Sequence, residues 1–92
     1  MKLLHLVLKR QWYDMILSGE KRDEYRDITP YWRKRLEGKD YDVVEFRNGY
    51  QKDARRMRFE IQFISRGYGH EMWGAPGSRP VYIIGLGAQI DC

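Results

Sequence analysis

Cysteine is all but missing from this 92-residue sequence, which carries a single one, Cys92, as its last residue. One thiol excludes an internal disulfide and any cysteine-based zinc centre. Histidine is nearly as scarce, with only His5 and His70, so no metal ligand set is expected. Long apolar runs are absent too. The stretch Leu3-Leu4-His5-Leu6-Val7-Leu8 is broken by His5 and followed at once by Lys9-Arg10, too short for a signal peptide or a membrane span. A reducing, cytoplasmic-type location without membrane contact is the default expectation. No serine sits in a nucleophile elbow, and no Ser-His-Asp arrangement is suggested. Gly67-x-Gly69 is followed by Met72 where a dinucleotide fingerprint needs its third glycine, and no phosphate loop occurs. No cofactor is expected.

What is present is charge and aromatic area. The length suits one domain, residues 1–92. With 42% hydrophobic residues, three Trp, seven Tyr and three Phe, it suffices for a modest core. The 33% of charged residues are interspersed with apolar ones, which argues against disorder. Seventeen Lys and Arg exceed thirteen Asp and Glu, for a net charge of +4. The excess lies in Arg33-Lys34-Arg35 and in Arg55-Arg56-x-Arg58. Basic runs are usually solvated faces. Beside so many aromatics they become candidates for holding a nucleic-acid backbone.

Along the chain, Leu3 to Leu8 reads as a buried strand and Gln11 to Ser18 as a helix. Trp12 and Ile16, and likewise Tyr13 and Leu17, are four apart and form an apolar stripe, which makes Trp12 a core residue. Gly19 stands where a left-handed cap is wanted. A strand from Arg22 to Asp27 comes next. Thr29-Pro30 is a helix start, and Tyr31 to Glu37 form two turns that turn Trp32 and Leu36 inward before Gly38. Tyr41 to Arg47 and Ala54 to Ser65 read as strands joined by the polar stretch 48–53. In the second, Met57, Phe59, Ile61 and Phe63 alternate against Arg58, Glu60, Gln62 and Ile64. Val81 to Ile90 is the last strand, where Gly85 and Gly87 imply a sharp bend or a close backbone approach. About five strands with two short helices in the N-terminal half fit a small α+β mixed β-barrel.

Residues 67–80 have four glycines, two prolines and large aromatics, with no helix or strand period. So long a loop in a small domain is usually functional or disordered. One reading is a mobile lid whose Tyr68 or Trp73 stacks on a base. The other is a surface loop that Trp73 anchors to the barrel.

The most informative segment is Gly19-Glu20-Lys21-Arg22-Asp23-Glu24-Tyr25-Arg26. On a strand, Glu24 and Arg26 point to one face. Lys21 has the opposite parity and joins them only if the chain kinks after the glycine. Cation, carboxylate and cation would then converge, an arrangement suited to phosphate and base edges. The spacing G-x-K-x-x-E-x-R after a strand and a helix resembles the ASCH family of PUA-like β-barrels. The resemblance takes in the opening strand, the helix through Trp12 to Ser18 and the segment Tyr41 to Gly49, and is weakest over 67–80. It implies a PUA-like barrel whose cleft binds RNA, a nucleotide or a nucleoside through Lys21, Glu24 and Arg26; on the lid reading of the loop, Tyr68 and Trp73 are ligand-binding residues as well. A monomer is the favoured state.

The resemblance also implies rival activities. Some members cleave RNA, and one branch removes the acetyl group of N4-acetylcytidine, with lysine at the Lys21 position and threonine at that of Glu24. Lys21 and Glu24 are therefore the candidate catalytic residues if the chain is an enzyme. Glu24 departs from the deacetylating branch: a carboxylate beside Lys21 is expected to raise its pKa and make it a poorer base. Tyr25 is expected on the opposite face, and Thr29 is spent as a cap. Glu24 could read an amino group of cytosine or guanine, deprotonate a 2′-hydroxyl, or simply pair with Arg26 to brace the wall. His5 reads as a satisfied strand histidine.

Overall fold

A computed structural model describes residues 2–90; Cys92 lies outside the described residues. The elements are β1 (Leu3–Leu8), α1 (Arg10–Leu17), β2 (Asp23–Arg26), α2 (Pro30–Leu36), β3 (Val43–Asn48), β4 (Arg56–Gly67) and β5 (Val81–Ile90). The five strands form one mixed sheet in the order β1-β3-β4-β5-β2. Only β1 and β3 run parallel, because the chain between them crosses through α1, β2 and α2. The sheet curls into a half-barrel carrying two short helices, a small α+β mixed barrel. It is not closed by a hydrogen-bonded ladder: β1 and β2 remain its two edges. Among the described residues no helix is long and apolar enough to cross a membrane.

The core draws alternate residues from each strand, Leu4, Leu6 and Leu8 of β1 against Val44 and Phe46 of β3 and Met57 and Phe59 of β4. Tyr13 and Ile16 bring α1 into it. The apolar stripe of α1 is therefore rotated from the one expected: Leu17 is an exposed apolar residue and Trp12 is half-buried. Thr29 caps α2 by accepting from the Trp32 N–H at 3.2 Å, with Pro30 opening the helix. Gly19 takes φ 87° at the end of α1, conformational space that other residues enter only with strain.

The long strand β4 departs from simple alternation. Its pairing with β5 shifts register between Phe59 and Ile61 and again between Ile61 and Phe63. A bulge inverts the facing of the residues beyond it. Ile64 consequently packs on the core while Phe63 is exposed, the reverse of the expected assignment. Gly85 is the close approach that its sequence position implied: a Cβ there would lie 2.2 Å from the Phe63 ring.

Candidate functional site

Where the two edge strands face each other, the half-barrel leaves a seam, and the seam is a cleft of about 620 Å³. All three tryptophans of the chain line it: Trp12 from α1, Trp32 from α2 and Trp73 from the 67–80 loop. Tyr25 and Tyr50 complete the aromatic walls. The polar lining includes Glu24, Arg26, Lys9 and Asp27. Arg26 spans the seam, donating from Nη2 to the Val7 carbonyl of β1 at 3.0 Å and to Glu24 Oε2 at 2.8 Å. Its guanidinium lies 5.0 Å from the Trp32 ring centroid, within cation–π range.

Lys21 joins this pair as the kink after Gly19 requires. Its N–H donates to the Met15 carbonyl at 3.0 Å, which folds the segment back under α1 before β2 begins. Lys21 Nζ then lies 3.2 Å from Glu24 Oε1. Glu24 is thus held between two cations, one on each oxygen, with its side chain 8% exposed. The bracing pair of Glu24 and Arg26 is present, and Lys21 is not left over as a free cation. It donates to the Trp73 carbonyl at 2.6 Å. It also sits over the rings of Tyr25 and Trp12 at 4.6 and 5.4 Å from their centroids. With its side chain 1% exposed, Lys21 lies behind the cleft wall rather than in the lining.

This burial reverses the expected charge behaviour. Desolvation lowers the Lys21 pKa below its ordinary 10.5, outweighing the upward pull of Glu24. The carboxylate does act in the direction expected, but taking an ammonium out of water is the larger effect here. Tyr25 moves the other way: burial first of all raises its pKa above 10.0. Its hydroxyl, expected on the far face, accepts the His70 N–H at 3.0 Å, and its ring faces Lys21.

The 67–80 loop is tied down at several points. Besides the Lys21 and Tyr25 bonds, Arg79 pairs with Asp27 at 3.2 Å. Gly74, at φ 99°, lies so close to Trp12 that a Cβ would approach its ring to 3.0 Å. A single 3₁₀ turn, Glu71–Trp73, interrupts what the sequence suggests is irregular throughout. Trp73 therefore anchors through its carbonyl and lines the cleft with its ring, which stands 4.5 Å from that of His70. Tyr68 does not join it: the side chain is 68% exposed and lies outside the cleft lining.

The basic clusters divide. Arg56 and Arg58 face Glu45, at 3.6 and 2.9 Å, so they neutralise a buried carboxylate instead of standing free; His5 completes the group at 3.6 Å. Arg35 is half-buried over Tyr31 and Trp32 and donates to the Tyr31 hydroxyl. Arg33, Lys34 and Arg55 are exposed. Trp12, Trp32 and Tyr50 are aromatic cleft residues that the sequence does not assign to the site, and Tyr25 lines it although expected on the opposite face. The one signal for the tryptophans is their abundance, since no spacing unites positions 12, 32 and 73. Comparison with family models, curated proteins and solved structures gives no match for this chain.

Proposed function

We propose that the chain is an ASCH-type domain whose seam cleft binds a nucleobase, as part of RNA, a nucleotide or a nucleoside, in a cytoplasmic-type setting. The observation that carries this reading is the convergence of all three tryptophans around the Arg26–Glu24 pair. Aromatic faces take any base by stacking, at about 1–3 kcal/mol per base. Glu24 keeps lone pairs beyond the two cations it holds, and can accept from a base amino group. Arg26 offers guanidinium donors at the same floor. Exposed Arg33, Lys34 and Arg55 supply charge for phosphates outside the cleft.

One observation favours a second, hydrolytic reading. The lowered pKa of Lys21 makes it a better base than an ordinary lysine. Lys21 lies behind the cleft wall with Nζ bound to the Trp73 carbonyl, so on this reading the loop has to release it before it can activate a water for attack.

Intrinsic fluorescence tests the binding reading directly, since every tryptophan lines the cleft. Titration with nucleosides, nucleotides and short RNAs should give saturable quenching. Loss of one stacking ring in Trp12→Ala or Trp73→Ala should weaken affinity about 5- to 150-fold. Binding that leaves the fluorescence unchanged, or that survives both substitutions, refutes it. Turnover of N4-acetylcytidine by the unmodified chain, abolished in Lys21→Met, would promote the hydrolytic reading.

A further inference from the structure

A second cavity, of about 640 Å³, shares no lining residue with the tryptophan cleft. It runs beside a stretch of unpaired sheet edge. Along β4, strand β3 covers only Arg56 to Glu60, and the last bond on that side runs from the Ile61 N–H to the Asp42 carbonyl at 2.9 Å. The ladder with β5 continues on the other side as far as Gly67. Among the described residues the stretch from Gln62 to Gly67 is therefore paired on one side alone. Alternate N–H and C=O groups of a strand point to opposite sides, so about half of those in this stretch face the groove with no ladder partner. The opposite wall is the connection 36–42 between α2 and β3.

We infer that this groove takes an extended peptide from another polypeptide, added as a strand antiparallel to β4 in line with β3. Edge strands recruit partners in this way. Six residues at about 3.3 Å each give a track of roughly 20 Å. A second copy of this chain is the poorer occupant. A two-fold axis would bring each copy's 36–42 wall against the other's, whereas a slender strand enters between wall and edge. Side-chain chemistry narrows the partner. Tyr41, Ile61 and Ile64, all on the core-facing side of the sheet, offer apolar seats, which suit alternate apolar residues. In a chain of net charge +4 the groove lining carries three carboxylates, Glu37, Asp40 and Asp42, against two cations, Lys39 and Arg66, with the Lys2 ammonium over the Tyr41 ring at its margin. Arg66 is already directed at Glu37, 3.8 Å away. The peptide is therefore basic as well as alternating.

The test uses the full chain, isotope-labelled for NMR, and the capped hexapeptide Lys-Val-Thr-Val-Lys-Val as probe. Two further probes carry N-methyl groups on alternate residues, one set in each register, and a fourth has Glu in place of Lys. Shift changes should concentrate in Ile61 to Gly67 and in residues 36–42. Hydrogen exchange of the groove-facing amides should slow at least tenfold on saturation. N-methylation should abolish binding in one register and spare it in the other, and the Glu probe should bind at least tenfold more weakly. Four results overturn the inference: no shifts at millimolar peptide, shifts located elsewhere, equal binding of both N-methylated probes, or groove amides protected without peptide by self-association.

Discussion

Replacing Glu24 by glutamine should be among the most damaging isosteric changes the fold can suffer. The substitution keeps the shape and removes the charge that holds Lys21 at 3.2 Å and Arg26 at 2.8 Å. Two cations, with side chains 1% and 20% exposed, are then left facing each other without compensation. Removing one partner of a buried ion pair costs about 3–5 kcal/mol. Out of a total of about 5–15 kcal/mol for a domain of ordinary stability, that is a large part. At about 4–8 °C per kcal/mol for this chain length, even the lower figure moves Tm by at least about 12 °C. Lys21→Met should behave quite differently. It replaces a desolvated ammonium by an apolar chain of similar length, while Glu24 keeps Arg26. The losses are the charge-assisted hydrogen bond to Trp73, worth about 1.5–3 kcal/mol, and the contacts with Glu24 and the Tyr25 and Trp12 rings, in large part offset by relief of desolvation. Urea unfolding followed by circular dichroism measures both, and the double variant should recover part of the Glu24→Gln loss, since one stranded cation is gone. A Glu24→Gln cost below about 1 kcal/mol, or a Lys21→Met cost exceeding it, would refute this account of the triad.

Other outcomes rest on the same structure. The folded pKa of Lys21 is below its unfolded 10.5, so its stabilising contribution is present above 10.5 and is lost as pH falls through the folded value. Tyr25 and Tyr82, both raised above 10.0, lose stability as pH rises through their folded values. The stability lost in Lys21→Met should therefore grow as pH rises toward 10.5, and a loss that does not change with pH counts against the lysine shift. Gly85→Ala should cost about 1–3 kcal/mol by overpacking against the Phe63 ring, in thermal melts, and Phe63→Ala should rescue it. Thr29→Ala removes the α2 cap and should cost about 1 kcal/mol. If RNA binds, neutralising Arg33, Lys34 or Arg55 should each flatten the salt dependence by about one unit of slope. Arg58→Ala should instead lower stability, because it takes the 2.9 Å partner from buried Glu45.

The elements were legible because their signals are local. Thr29-Pro30 and Gly19 fixed helix ends to within a residue or two, and alternation marked β3 and the first half of β4. Local signals failed where a distant contact decides the outcome. The β4 bulge between Ile61 and Phe63, which exposes Phe63 and buries Ile64, arises from the register with β5, which alternation along one strand does not encode. Helix α1 has apolar residues on two adjacent stripes, and only the neighbouring strands select Tyr13 and Ile16 over Leu17. Trp12 and Trp32 reach the same cleft from different helices through the order of the sheet, so neither its wall nor its membership could be read from sequence spacing.

The motif shows the same division within eight residues. Parity along β2 places Glu24 and Arg26 together, and the kink after Gly19 brings Lys21 to them; both are properties of the local chain. Whether the lysine is solvated is not. Its burial is completed from residue 73, whose carbonyl accepts a hydrogen bond from Nζ at 2.6 Å, and by the rings of Trp12 and Tyr25. A carboxylate three residues away acts upward on the pKa, but desolvation by burial is the larger effect. The loop thus contributes, through Trp73, to the burial that lowers the Lys21 pKa. Any ligand that draws Trp73 away from Lys21 would rehydrate the ammonium and raise its pKa, so occupancy of the cleft and protonation of Lys21 are linked.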